Sequence, residues 1–257
     1  MNILVTNDDG IHARGIETLV AALKEVATVI VMAPLSEQSA VGHAVTMTLP
    51  LRVTEVEKDG EFFGYAVDGT PADCVKLALC TFLRERGLPY PDLVVSGINH
   101  GRNTAVNVIY SGTVSAATEA TVLDVPGIAI SLASYHSKGD FSGAADFIKR
   151  FAPYVASQRL PKGTLLNINV PALPPEKIKG MVYTRQGKSY WDDDFERRLD
   201  PHERPYYWLR GTYHLVDSTE EADDIAIAND KITITPLHYD LTDHNFLEVM
   251  RTDWKHL

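Results

Sequence analysis

The sequence is poor in positive charge, in cysteine and in long apolar runs, and each shortage removes a class of function. Lysine and arginine number 24 against 34 aspartates and glutamates, a formal net charge of −10. No segment clusters its basic residues, so a nucleic-acid backbone, whose binding draws on such clusters, is not expected as a partner. A small anion is a different matter. A divalent cation, a helix N-terminus or a nest of backbone N–H groups can each supply local positive potential in an acidic protein. The only cysteines, Cys74 and Cys80, stand six apart. That spacing is neither CxxC nor a zinc pattern, and both are expected as small core residues on different faces of one helix. No apolar run reaches transmembrane length, and Met1 leads through Asn2 into a short apolar strand and two acids, unlike a basic, apolar, cleavable signal. A cytoplasmic protein without membrane contact is the expectation.

Familiar catalytic signatures are also missing. No GxGxxG follows the first strand, which weighs against a dehydrogenase-type dinucleotide fold, and no GxSxG elbow occurs. Gly187-Lys188-Ser189 looks like the end of a P-loop, but Val182 stands five residues before Gly187, where that motif needs glycine, and no apolar helix follows. The acids Asp8 and Asp9 are adjacent, whereas aspartyl phosphatases of the haloacid-dehalogenase type show Asp-x-Asp.

What is present is a rhythm. Asn2 to Thr6 is a short apolar strand, and Ile16, Leu19, Val20, Leu23 and Val26 recur at helical spacing after it. Thr28 to Ala33 is a second strand, followed by a polar loop from Leu35 to about Thr48 and a hairpin excursion from Leu51 to Val67. Helices over Asp73–Glu85, Gly112–Leu123 and Ala144–Ala156 then alternate with strands at Asp92–Ser96, Ile128–Leu132 and Thr164–Val170. Fully apolar strands alternating with amphipathic helices predict a Rossmann-like, doubly wound α/β fold whose mostly parallel sheet is covered on both faces. With 45% apolar residues over 257 positions, one domain is expected, its core spanning about residues 1–171 and an appendage of hairpins and loops about 172–257. Within that appendage Lys179 to Arg185 and Lys231 to Thr235 are β-like. Trp191 to Pro205 shows no periodicity, and Tyr206, Tyr207 and Trp208 suit either an oligomer contact or packing on the parent domain.

Ligands of doubly wound sheets bind beyond the strands' C-terminal ends, and Asn7-Asp8-Asp9-Gly10 follows directly on the first strand. Two carboxylates ~4 Å apart at an effective dielectric near 20 repel by about 4 kcal/mol, so they need a shared cation, a shared proton or strong donors. An Asp-Gly turn with Asp9 capping the next helix is the plainer alternative. Gln38-Ser39 and the stretch Ser96-Gly97-Ile98-Asn99-His100-Gly101-Arg102-Asn103 fall on the same edge. Carboxylate, hydroxyl and amide oxygens form a hard ligand set suited to Mg²⁺, Mn²⁺ or Ca²⁺, although an Asn in a Gly-rich loop is also an ordinary turn residue. Tyr110-Ser111-Gly112-Thr113-Val114-Ser115 opens a helix with small hydroxyl residues, which serves either a bound phosphate or ordinary N-capping.

These motifs, together with Gly69-Thr70-Pro71-Ala72-Asp73-Cys74-Val75, Asn167-Ile168-Asn169-Val170-Pro171 and Ile234-Thr235-Pro236-Leu237, resemble in kind and order the SurE family of stationary-phase survival proteins, 5′/3′-nucleotidases. The resemblance spans nearly the whole chain. It implies hydrolysis of nucleoside monophosphates, and in some members of short polyphosphate, with one divalent cation, and a C-terminal hairpin extension that members use to form dimers and sometimes tetramers. Carried over residue by residue, it implies metal ligands Asp8, Asp9, Ser39 and Asn99, and phosphate-side positions Asn103, Ser111, Gly112 and Thr113 with Asn7 nearby. Asp8 and Asp9 are then also the catalytic candidates, and His12 and His100 are candidate proton donors to the leaving group. The chain departs from the family at Ala40, where Gly is frequent, at Arg14, where Pro is common, and in Thr104-Ala105-Val106-Asn107, where a Gly and an acid are common. A nucleotide-binding regulator without turnover, and a structural oligomer, are the other classes compatible with such a site.

Overall fold

A computed structural model of the chain describes residues 1–134, 136, 139–158 and 160–254. The first strand, β1 (Asn2–Thr6), leads into helix α1 (Arg14–Lys24) and strand β2 (Thr28–Pro34). Ile16, Leu19, Val20 and Leu23 are the buried stripe of α1, with Glu17 in its first turn and Lys24 in its last, charges that complement the helix dipole. The hairpin β3 (Val53–Lys58) and β4 (Glu61–Val67) follows, as the sequence predicts.

Helix α2 (Pro71–Leu77) starts two residues earlier than its apolar pattern suggests, because Thr70 and Asp73 form a reciprocal capping box with Pro71 at the first helical position. It continues through a π-helical turn (Ala78–Phe82) into the short α3 (Leu83–Glu85). The two cysteines do not share the core: Cys74 is buried and Cys80 exposed. Positions six apart lie roughly 240° around a helix, and this helix packs only one side against the sheet.

Strand β5 (Leu93–His100), helices α4 (Asn107–Tyr110) and α5 (Gly112–Val122), strand β6 (Gly127–Ala133), helix α6 (Ser142–Ser157) and strand β7 (Thr164–Pro171) complete the alternation. β5 outruns its expected end at Ser96, because an irregularity between Ser96 and Asn99 lets pairing with β6 resume at Asn99↔Ser131.

Three further strands precede and flank helix α7 (Asp223–Ala228): β8 (Met181–Tyr183), β9 (Tyr190–Leu199) and β10 (Pro205–His214) come before it, and β11 (Ile232–His238) and α8 (His244–Asp253) after. The main sheet has the order β3-β4-β2-β1-β5-β6-β7-β11-β8. From β4 to β7 it is parallel throughout. The stretches read as part of an appendage, β8 and β11, extend this sheet instead, with β11 antiparallel to β7 and β8 parallel beside β11. They cover what would otherwise be an open edge on β7. Only β9 and β10 form a separate two-stranded sheet, and their residues are exposed on both faces, which removes the period-two signal from the sequence.

Burial alternates along the central strands. Ile3, Val5, Val95 and Ile130 pack with α1 and α6, while Leu4, Met32 and Val94 pack with Cys74 and Val75 of α2 and Ala116 and Ala120 of α5. Each such buried aliphatic side chain contributes about 1.5–3 kcal/mol. Among the described residues no helix is long and apolar enough to cross a membrane. The strand order reverses at β1, which has β2 on one side and β5 on the other, so the crevice beyond β1 and β5 is the topological switch point where open α/β sheets bind ligands.

Candidate functional site

The switch point brings together residues that the chain keeps far apart. Asp8, at the end of β1, is buried, and its carboxylate accepts from the Thr113 backbone N–H at 3.0 Å and from the Thr113 hydroxyl. The approach is close enough that a Cβ on Gly112 would lie 2.8 Å from Asp8 Cβ and 3.2 Å from Pro71 Cγ. Asp9 accepts from the His100 backbone N–H at 3.1 Å. The Asp8 carbonyl accepts from the Gln38 N–H at 2.7 Å, which draws the loop after β2 to the same place.

This arrangement already engages part of the α5 start. Its N–H groups and hydroxyls do not all stand free for a phosphate, since Thr113 serves Asp8 and the Ser111 hydroxyl caps the helix by accepting from the Val114 N–H at 3.1 Å. A carboxylate delivered by β1 takes the helix N-terminus first, and the dipole there favours it. Gly112 and Thr113 are both buried against that junction.

The electrostatics show a pair short of positive charge. Burial raises the Asp8 carboxyl above its ordinary range even though the Thr113 hydroxyl and N–H pull it down. Burial, then the Asp8 charge, pushes Asp9 up to about 6, opposed by the His100 N–H. Glu37 adds to both shifts and is a residue that the motif reading missed; its position two before Ser39 was the available signal. Ser39 is exposed and donates to Glu37 Oε1 at 2.5 Å, leaving the hydroxyl oxygen's lone pairs. Asn99 donates through Nδ2 to the Gly101 carbonyl at 2.6 Å, which leaves Oδ1 as an acceptor. Asn7 donates to the Gly10 carbonyl at 2.9 Å, and its buried Oδ1 has no partner among the described residues. Two carboxylates with raised pKa beside neutral hydroxyl and amide oxygens fit a hard divalent cation, which would relieve their repulsion. Among the described residues no group of three or more His, Cys, Asp and Glu could hold a metal, so a cation here would depend on the neutral oxygens.

Asn103 is fastened by residues whose part in the site the sequence did not disclose. Its N–H donates to Asn169 Oδ1 at 2.7 Å, its carbonyl accepts from the amides of Asn167 and Asn169, and its own Nδ2 donates to Ser131 at 3.0 Å. Asn167 and Asn169 lie two apart on β7, on one face, and buried amides in an apolar strand are a sign of obligatory partners. The candidate proton donors are less well placed. His12 is exposed in the turn before α1, and the His100 ring bonds through Nε2 to the His136 carbonyl at 2.5 Å, leaving its backbone N–H as its contact with Asp9.

Two departures from the family pattern acquire a geometry. Ala40 has φ 56° and Ala105 φ 49°, both in the left-handed region that glycine adopts freely. A side chain there costs roughly 1–2 kcal/mol, against ~0.4–1 kcal/mol for the extra chain entropy of glycine. Ala40→Gly is therefore expected to raise the melting temperature by ~1–3 °C for a chain of this length. Thermal unfolding monitored by circular dichroism checks it, and a lowered melting temperature would contradict the strain.

A family model described as "Survival protein SurE" matches residues 3–193. The protein named 5′-nucleotidase SurE of Syntrophobacter fumaroxidans is 49% identical over 97% of this chain and 98% of its own. That of Moorella thermoacetica is 50% identical over 96% of this chain and 93% of its own. The crystal structure of the SurE protein of Aquifex aeolicus superposes with a TM-score of 0.84 at 38% identity, covering 98% of both chains. With the family's profile over most of its length and relatives near half identical from end to end, the chain belongs to the SurE family of survival proteins.

Proposed function

We propose that this chain is a metal-dependent 5′-nucleotidase that hydrolyses nucleoside monophosphates, including 3′-monophosphates and short polyphosphate in its range, and that it works in the cytoplasm. The observation that carries the reading is the carboxylate pair at the sheet's switch point, Asp8 buried and Asp9 half-buried, both held above their ordinary pKa on the edge that also carries the neutral oxygens of Ser39 and Asn99. The relatives' printed name, 5′-nucleotidase, supports the reaction class.

One divalent cation, Mg²⁺, Mn²⁺ or Ca²⁺, would be held by Asp8, Asp9, Ser39 and Asn99. When bound, it supplies Lewis-acid neutralisation of charge on the phosphoryl oxygens and a template for an attacking water. Asn103, Ser111, Gly112 and Thr113 form the phosphate side, with Asn7 nearby and Thr113 acting through Asp8. Asp8, clamped by Thr113, holds one orientation, and a carboxylate of the pair would act as base or nucleophile toward the phosphoryl group. Subunits would associate through the β9–β10 hairpin, where Phe195, Tyr207, Trp208 and Leu209 are each about 60% exposed and a two-stranded ribbon is only marginally stable alone, giving a homodimer or homotetramer.

Incubation of the purified protein with Mn²⁺ and a panel of nucleoside monophosphates tests the reaction. Catalytic release of phosphate that disappears on exhaustive chelation and returns with Mn²⁺ is expected. Release that survives chelation refutes the metal, and stoichiometric binding without any release would make the chain a nucleotide-binding regulator instead.

A further inference from the structure

We infer that Gln186 and Asp223, both beyond residue 171, are positioning residues for the loop that carries Asn103, which they fasten by clamping the backbone of Ala105 from both sides. The Ala105 N–H donates to both oxygens of the buried Asp223 carboxylate at 3.2 Å each, and the Ala105 carbonyl accepts from Gln186 Nε2 at 2.8 Å. Ala105 is fully buried with φ 49°, and a conformation so unfavourable to a Cβ-bearing residue persists where its surroundings over-determine it.

The clamp is built as a unit. Arg185 and Ala222 form a parallel bridge, in which the Arg185 N–H donates to the Glu221 carbonyl at 2.8 Å and the Asp223 N–H to the Arg185 carbonyl at 3.1 Å. The Gly187 N–H donates to Asp223 at 2.9 Å, and the Ser189 hydroxyl donates to Asp224. A Cβ on Gly187 would fall 2.4 Å from Asp224 Oδ1, so a side chain there would displace that buried carboxylate. The P-loop-like Gly187-Lys188-Ser189 thus has an occupation of its own, which is to seat two buried aspartates. At the start of β9, Trp191 Nε1 donates to Asn107 Oδ1 at 2.8 Å. The segment from Asn103 to Asn107 is therefore held by β7 amides at its start and by this C-terminal clamp beyond.

The inference rests on the assignment of Asn103 and Ser111 to the phosphate, and its test is chosen to fail separately from that reading. Gln186 is exposed, so Gln186→Ala and the isosteric Gln186→Glu, which lacks the N–H donor, leave the core intact. Amide hydrogen exchange across residues 103–107 of the full-length protein is expected to accelerate in both variants. The KM for AMP with Mn²⁺ should rise about fivefold in Gln186→Ala, the loss of one neutral hydrogen bond. Affinity for Mn²⁺ alone should stay at the wild-type value, because Asp8, Asp9, Ser39 and Asn99 lie outside the clamped segment. Unchanged exchange in Gln186→Ala, wild-type exchange in Gln186→Glu, or a rise in KM for AMP matched by an equal loss of Mn²⁺ affinity would each overturn the inference. If the wild-type protein does not turn over AMP, the functional reading fails and the exchange comparison still decides the clamp.

Discussion

Asp9→Asn is expected to lower Mn²⁺-dependent turnover of AMP by about 10²–10³-fold, the loss of a transition-state term of several kcal/mol, while the chain remains folded. Asp9 is one of two carboxylates in the proposed ligand set, and its Oδ2 receives only one protein N–H, from His100. Asparagine keeps the size and that contact but removes the charge. The same substitution should stabilise the metal-free protein at neutral pH. Folding raises the Asp9 pKa from 3.8 to about 6 through burial and the Asp8 charge, so the native state favours the protonated form. The stability linked to that proton is fully present below about 3.8 and is lost as pH rises through about 6. The stability of metal-free wild-type protein relative to Asp9→Asn should accordingly rise by up to about 3 kcal/mol as pH falls across that window. Because Mn²⁺ competes with the same proton, its affinity for the wild-type should fall about tenfold per unit below pH 6. Phosphate release, Mn²⁺ titration and melting curves at pH 4 to 8 report all three effects. Wild-type turnover in Asp9→Asn, or Mn²⁺ affinity indifferent to pH, would remove Asp9 from the site.

Gly112→Ala should damage the site nearly as much, for a steric reason. Gly112 is the first residue of α5, where alanine by itself would gain less than the about 1 kcal/mol of helix propensity it gains in a helix interior. Against this, the new Cβ would lie 2.8 Å from Asp8 Cβ and 3.2 Å from Pro71 Cγ, neither of which is the far end of a flexible side chain. Overpacking of this kind costs typically ~1–3 kcal/mol and shifts backbone, so the clash wins. The strand end carrying Asp8 or the start of α5 must move, which disturbs the two bonds from Thr113 that hold the carboxylate. A displacement near 1 Å costs about 10²-fold in a positioned reaction. A lowered melting temperature together with a ~10²-fold drop in kcat is the expected outcome, read from thermal unfolding and AMP kinetics. An alanine variant more stable than the wild-type and fully active would show that the junction is looser than the structure indicates.

Most of the α/β alternation was legible because its signals are local. β1, β2, β6 and β7 are apolar runs with buried faces on both sides, and α1 carries its stripe at helical spacing. The β5 end was misjudged because Gly97 and the irregularity beside it interrupt the apolar run while pairing continues to His100. The hairpin β9–β10 was invisible to periodicity since neither of its faces is buried in one chain. β8 and β11 could be read as strands, but their place in the main sheet depends on β7 offering an open edge.

By itself the sequence determined the fold class, the order of the loops along one sheet edge and the chemical character of Asp8, Asp9, Ser39 and Asn99, because periodicity, turn residues and donor type are properties of short stretches. Only the tertiary structure decided who bonds to whom: Thr113 to Asp8 across 105 positions, Asn169 to Asn103 across 66, and Asp223 to Ala105 across 118. Such pairings arise where buried polar groups must find partners once water is excluded, and the closest available group is set by packing rather than by distance along the chain. For this reason the structure alone shows that the α5 start bonds a carboxylate and that Gly187-Lys188-Ser189, which is no P-loop, seats a pair of aspartates.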